Sequence, residues 1–257
     1  MDFHARRFDR AAGTYAEHAA FQARMADRLL SRLPSDAAGP VIEFGCGTGL
    51  LTSRLLHRFP GVSVLATDAA PRMAAHAARA LGPRTALRFA VCDASGLRPG
   101  GPRGNFGLAA SNAVVQWFPD LGRHLRWAAS LLSPGGIYLV SGFDRANFPE
   151  LNSILREPPF GYADFPGHPA SDLSALATAA GLDLAAAESE RLETTAPSPR
   201  AFLEAIRSLG AARRPGDRPL TRARLDILIG RYQERYSRDG GVAATWMPWY
   251  AVLRKPG

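Results

Sequence analysis

Apolar positions along the chain follow two rhythms in alternation. Runs of consecutive apolar residues read as buried strands, and stretches where they recur every third or fourth position read as helix faces. Residues 6–33 have the second rhythm: Phe8, Ala12, Tyr15, Ala19, Gln22, Ala26 and Leu29 share a face, and Pro34 closes the segment. Val41 to Phe44 is the first apolar run. Gly45, Gly47 and Gly49 follow it, and Leu50, Leu51, Leu55, Leu56 and Phe59 then line one side of a helix. The alternation continues with strands at Val62–Asp68, Ala86–Val91, Phe106–Asn112 and Ile137–Phe143. Helices are expected over 72–81 and 121–132, with a turn at Ser133–Gly136. Such regular alternation predicts an α/β domain built on a parallel, doubly wound sheet.

Beyond Phe143 the rhythm loosens. Helices are expected at Phe148–Leu155 and 171–180, flanking a loop, Glu157–Pro169, rich in proline, glycine and aromatics. A sixth strand falls within Leu182–Thr195, helices follow at 199–209 and 221–236, and Val242–Leu253 reads as a last, antiparallel strand. Pro248 lies inside that run, which weakens its ladder or marks an edge. The organisation expected is one domain over 1–257: a helical lid at 1–35, a ligand-binding half at 40–143, and a second half at 144–257 with a helical cap at 197–240.

The glycines after the first strand carry the clearest chemistry. Glycine serves where a backbone takes positive φ or lies against a ligand without a Cβ in the way, and a helix N-terminus adds unpaired N–H groups. The spacing is acid-x-G-x-G-x-G, with Glu43 two residues before Gly45, whereas the dinucleotide pattern G-x-G-x-x-G would need glycine where Leu50 stands. A buried acid suits a cationic ligand better than a pyrophosphate. This motif resembles the first motif of class I S-adenosyl-L-methionine-dependent methyltransferases. The resemblance implies a Rossmann-like seven-stranded sheet, mostly parallel with an antiparallel last strand, and puts Glu43 and the turn Gly45, Cys46, Gly47 and Gly49 at the methionine end of the cofactor. Asp68, with Ala69 beside it, lies about 20 residues past the glycines, where an acid takes both ribose hydroxyls or caps the helix that follows. Asp93 is a plain turn residue or, in the family's pattern, the acceptor of the adenine amino group, with Cys92 and Ala94 flanking the ring. Asn112 and Gln116 follow the central strand, at the crevice where open α/β sheets bind ligands and where the transferred methyl group emerges.

Composition narrows the setting. The 257 residues are 46% hydrophobic, an ordinary globular mixture. The two cysteines, Cys46 and Cys92, make no metal-type pair, Met1–Arg10 has no apolar leader, and no run reaches membrane-spanning length, so a cytoplasmic protein with no metal and no membrane contact is expected. The net charge is +8 and is unevenly placed: residues 191–257 carry 13 basic and 6 acidic side chains, against 18 and 17 in residues 1–190. A basic segment of this kind fits an acidic partner. Nucleic acid is not expected, because the end of the fourth strand reads Ser111-Asn112-Ala113-Val114 instead of an Asn/Asp-Pro-Pro-Tyr motif, and no aromatic-basic platform is evident.

A narrower likeness lies outside the glycine motif. Phe8-x-Arg10-Ala11-Ala12-x-x-Tyr15-x-x-His18-Ala19-x-x-Gln22 is similar to the N-terminal lid of the malonyl-[acyl-carrier-protein] O-methyltransferases of biotin synthesis. Ser111-Asn112-x-x-Val115-Gln116-Trp117, Pro149-Glu150-Leu151, Arg207-Ser208-Leu209-Gly210-Ala211, Leu220-Thr221-Arg222 and Arg254-Lys255 also match that family's pattern. The resemblance implies methyl esterification of the free carboxylate of malonyl carried on acyl carrier protein, with S-adenosylhomocysteine as by-product. It implies that Tyr15 closes over the cofactor's amino-acid end. It also implies that an arginine, with Arg145, Arg200 and Arg207 as candidates, neutralises the malonyl carboxylate or the phosphopantetheine phosphate. The acidic carrier is expected to dock on the basic cap, residues 200–238, with Arg213 and Arg214 as docking surface. A carboxylate acceptor is ionised at neutral pH and needs no general base, which agrees with a chain whose best candidate base is His18, a residue more simply read as part of the lid. Two departures touch the acceptor side: Gly161-Tyr162-Ala163-Asp164-Phe165 in the 157–169 loop, and the proline at 248. A small carboxylic acid, quinone or natural product is the alternative acceptor, and an RNA methyltransferase a weaker one.

Overall fold

The computed structural model describes residues 20–95, 104–162, 165–208 and 220–257. Tyr15, His18 and the rest of the lid before Ala20 therefore lie outside the described residues, as do Arg213 and Arg214. What remains of the lid is helix α1, Ala20–Leu30. Strand β1 (Val41–Phe44), helix α2 (Leu50–Arg58), strand β2 (Val64–Asp68), helix α3 (Pro71–Leu81) and strand β3 (Leu87–Val91) follow in the predicted order. Strand β4 is Phe106–Asn112, helix α4 Leu121–Leu131 and strand β5 Leu132–Phe143. The second half contains α5 (Pro149–Leu155), α6 (Leu173–Ala179), β6 (Asp183–Ser189), β7 (Leu192–Ala196), α7 (Pro199–Ser208), α8 (Arg222–Tyr236), β8 (Ser237–Arg238), β9 (Gly241–Trp246) and β10 (Pro248–Arg254).

Seven strands form one sheet in the order β3-β2-β1-β4-β5-β10-β6. β1 pairs in parallel with both β2 and β4, and β10 is antiparallel to β5 and β6, as the resemblance implied. The order reverses between β1 and β4, so the carboxyl ends of these strands open the crevice in which a ligand sits. Because side chains alternate across a strand, Ile42 and Phe44 enter the core layer beneath α4, and Val41 enters the layer shared with α1 and α2. Glu43 shares Val41's face, an acid in a core position.

Three features differ from the sequence expectation. Ser133–Gly136 is an irregularity inside β5: the pairing jumps from Phe106↔Leu132 to Leu108↔Ile137, with Gly135 at φ 74°. The sixth apolar run divides into β6, in the main sheet, and β7, which joins a small antiparallel sheet in the order β7-β9-β8. The last run divides in the same way, and Pro248 is where it happens. Pro248 opens β10 opposite Phe143, a first-strand position where a missing N–H costs little, while β10 itself is an interior strand rather than an edge. Met247 between the two strands accepts from Asp144 N (2.9 Å), and its N–H donates to Asn147 Oδ1 (2.8 Å), which stitches the crossing to the loop after β5.

One buried polar group ties the sheet to the loop after β3. His124 on α4 is fully buried, with ring nitrogens 2.6 Å from Ala94 O and 2.7 Å from Tyr138 Oη. The carbonyl only accepts, so Nδ1 carries the proton and Nε2 accepts from the Tyr138 hydroxyl. Burial pushes the imidazole down to about 4. The unfolded chain takes up a proton near pH 6.5 and the native state does not, so this group withdraws stability as pH falls from 6.5 toward 4. In urea unfolding, wild type is expected to lose about 2 kcal/mol relative to a His124→Gln variant between pH 7 and pH 4.5. A constant difference across that range would show that the buried imidazole is not the source.

Candidate active site

The turn after β1 is built by backbone crowding. Gly45 takes φ 69°, and a Cβ there would lie 2.4 Å from Val114 Cγ2. Gly47 takes φ 54°, and the space where its Cβ would point is open, so its backbone faces the cleft bare. Gly49 caps α2 at φ 89° and turns toward Ala77 and Leu81 of α3, away from the cleft lining.

The cleft runs across the carboxyl ends of β3, β2, β1 and β4. Of the residues expected from sequence, it brings together Glu43, Gly45, Cys46, Gly47, Asp68, Ala69, Cys92, Asp93, Ala94 and Asn112. Asp68 is oriented by two backbone donors: Gly47 N reaches Oδ2 and Ala70 N reaches Oδ1, each at 2.8 Å. The first of these bonds locks β2 to the glycine turn. Helix α3 begins at Pro71 with no side-chain cap, so Asp68 closes a local turn with Ala70 instead of capping the helix. Asp93 closes a similar turn with Ser95 N (3.0 Å), as the turn reading expects, and also lines the cleft.

Asn112 links the cleft to the lid. Its Nδ2 donates to Gln22 O on α1 (3.0 Å), and its Oδ1 accepts from Ser141 Oγ (2.8 Å). The next residue, Ala113, sits at φ 55°, an uncommon backbone state for a residue with a Cβ and one found preferentially at working sites. Gln116 is buried behind this corner, donating to Ala113 O (2.8 Å), and is absent from the lining. Arg145, Arg200 and Arg207 are exposed and also absent from the lining.

Sequence reasoning left several lining residues unassigned: Gln22, Thr48, Leu50, Leu51, Met73, Val114, Trp117 and Phe118. Trp117 and Phe118 lay in the segment singled out after β4. Gln22 had a usable signal, a polar residue on the apolar face of the lid helix. Met73 carried none.

The electrostatics of the cleft are acidic. Glu43 is 1% exposed with one side-chain donor, Thr52 Oγ1 at 2.6 Å, and its burial, with Asp68 nearby, raises its carboxyl to about 8. Cys46 is pushed well up by burial and by the same two acids, which makes it a poor nucleophile. His168 braces the wall from outside, one ring nitrogen 3.0 Å from Phe118 O.

Comparison with known proteins agrees with this geometry. A family model described as a methyltransferase domain matches residues 42–138. Among solved structures, the chain resembles the Haloferax volcanii protein determined with the Trm112 methyltransferase activator, at TM-score 0.61 and 20% identity over 97% of this chain and 98% of that one. It also resembles an S-adenosylmethionine dependent methyltransferase from Mesorhizobium loti, at TM-score 0.54 and 18% identity over 89% and 96%. At these identities the likeness shows the fold, that of the class I methyltransferases. Sequence relatives reach further. The biotin biosynthesis bifunctional protein BioCD of Bordetella avium is 32% identical over 98% of this chain, which spans only 52% of that longer protein. A malonyl-[acyl-carrier protein] O-methyltransferase from a Paenibacillus species is 31% identical over 96% of each chain. An identity of that size, sustained through both halves of the fold, means that the chain belongs to the malonyl-[acyl-carrier protein] O-methyltransferase family.

Proposed function

We propose that the cleft binds S-adenosylmethionine and that the enzyme methylates the free carboxylate of malonyl-acyl carrier protein, in the cytoplasm, at an early step of biotin synthesis. The observation that carries the acceptor is the full-length likeness to the Paenibacillus enzyme. The matched methyltransferase domain ends at residue 138, so only relatives that also align over 139–257 speak to the acceptor half.

The residues present suit this cofactor. Asp68 offers carboxylate oxygens to ribose hydroxyls, Asp93 lies at the β3 end for the adenine amino group, and the bare backbone at Gly47 leaves room for the chain between them. Glu43, buried and short of donors, is suited to a cation. The cofactor supplies an electrophilic methyl group on a sulfonium centre. The chain's task is to hold a carboxylate in line with that methyl, about 3 Å away, and to keep water out. Among the described residues lining the cleft there is no histidine or lysine, which suits an acceptor already ionised at neutral pH.

Part of the cap's positive charge is already engaged within the protein. Arg231 and Arg235 on α8 pair with Glu157 at 3.3 and 2.6 Å, and Arg191 and Arg238 pair with Glu193 at 3.2 and 3.0 Å. Arg200 and Arg207 on α7, and Arg222 and Arg224 at the start of α8, have no ion pair among the described residues. Among the described residues of 200–238, these four arginines are the ones the acidic carrier is proposed to meet.

Two measurements test this reading. Binding that needs ionised Glu43 strengthens as pH rises toward its raised value of about 8, so S-adenosylmethionine should bind roughly tenfold more tightly at pH 8 than at pH 6.5, with proton release. Glu43→Gln should remove both the release and the slope; a flat wild-type profile by calorimetry contradicts the assignment. In steady-state assays, malonyl-acyl carrier protein should be methylated, and the double variant Arg222→Glu, Arg224→Glu should raise its KM about tenfold at low salt with kcat unchanged. Turnover of a free carboxylic acid without turnover of the carrier-bound malonyl group would reject this acceptor.

A further inference from the structure

Gln22 is 8% exposed and lines the cleft, and its side-chain Oε1 is buried with no hydrogen-bond partner among the described residues. A buried amide oxygen left unpaired is costly, and native proteins rarely tolerate one unless a ligand or water completes it. The residue is held in place. Its main-chain carbonyl takes the Asn112 amide, Asn112 is held in turn by Ser141, and α1 is fastened at its other end by Arg28 to Glu190 (2.6 Å) and Glu188 (3.0 Å). An acceptor fixed this way selects a donor.

Strand order identifies the donor. Asp93 ends the β3 side of the cleft, Asp68 stands on β2, and Gln22 meets Asn112 at the β4 side, the end furthest from Asp93. If adenine lies by Asp93 and ribose by Asp68, the amino-acid portion of the cofactor falls at β1 and β4. Glu43 in the same cleft makes that end hostile to an anion and favourable to an ammonium group. We infer that Gln22 is a cofactor-binding residue whose Oε1 accepts a hydrogen bond from the α-ammonium of S-adenosylmethionine, opposite Glu43. The assignment rests on the cofactor reading above and adds to it a residue on the lid.

The test compares two ligands by calorimetry, with no turnover involved. One is S-adenosylhomocysteine. The other is 5′-S-(3-carboxypropyl)-5′-thioadenosine, the same molecule without its α-amino group. A hydrogen bond to a charged donor sets the expected effect: Gln22→Met should weaken S-adenosylhomocysteine about tenfold or more and leave the deaminated ligand within twofold. Gln22→Glu keeps an acceptor oxygen and should retain the wild-type preference for the aminated ligand. Thermal unfolding checks that each variant folds; should the Met variant fail, Gln22→Ala is measured against the same pair. Equal losses for the two ligands, or no loss for either, overturn the assignment of Gln22 and leave the cofactor reading standing. Wild type that binds neither ligand removes the cofactor reading and this inference with it.

Discussion

At Gly45 the chain passes β4 so closely that a methyl group on its Cα would lie 2.4 Å from Val114 Cγ2. That clearance is the constraint from which the rest of the cofactor half follows. Only a residue without Cβ, at φ 69°, lets β1 turn into α2 beneath the corner after β4. The same turn carries Gly47 N to Asp68 and lays bare backbone along the cleft. Glu43, two residues earlier, is drawn into the core layer under α2 because strand alternation leaves it no solvent-facing side. Its carboxyl is held there by Thr52 of that helix. A buried acid at the cleft thus arises from the strand's own geometry. A Cβ at 45 would push Val114 out and disturb the corner that holds Asn112, the residue bonded to Gln22 of α1.

The lid and the acceptor half are coupled by aromatic packing. Phe21 on α1 stacks on Trp246 with ring centroids 4.1 Å apart, and Trp246 also touches Phe143 and Phe148. Phe148 in turn packs against Phe165 and Phe202. These rings join the lid helix, the end of β5, the β9–β10 crossing and the cap helix α7 into one apolar body beside the cleft, the kind of wall that keeps water from a reacting carboxylate. The exposed ion pairs from Arg28 and Arg32 to Glu188 and Glu190 add only about 0.2–1 kcal/mol each, so they orient α1 more than they hold it. Ring burial carries most of the energy of attachment.

How far the sequence was legible depended on how local the determinants are. The strands at 41–44, 64–68, 87–91 and 106–112 could be read within a residue or two, because each is a short apolar run bounded by turn residues. The glycine turn and the acids at 68 and 93 were legible for the same reason: their spacing along the chain is their spacing in the fold. The acceptor half was not. Leu182–Thr195 and Val242–Leu253 each look like one strand, yet each serves two sheets, and the change of partner depends on Asn147 and Asp144 gripping Met247 from a hundred residues away. The arginines posed a similar difficulty. Net charge along the cap was plain in the sequence, but the pairing of Arg231, Arg235 and Arg238 with Glu157 and Glu193 is a tertiary fact.

The distribution of charge within the molecule separates two tasks that one positive protein must perform. The cleft is lined by Glu43, Asp68 and Asp93 and holds no arginine among its described residues, which suits the cationic cofactor proposed for it. With its carboxyl raised to about 8, Glu43 is largely protonated at neutral pH, and a cation bound beside it would draw it into the ionised form, which ties cation affinity to pH. The cap has the opposite sign. Under the proposed function it would draw an acidic carrier to the arginines of α7 and α8 that have no ion pair among the described residues. In that proposal a carrier-bound carboxylate is recruited by one surface and tested by another. A small free acid, lacking the acidic carrier, would meet only the second of these, so the acceptor proposal rests on the full-length likeness and the charge of the cap more than on the cleft.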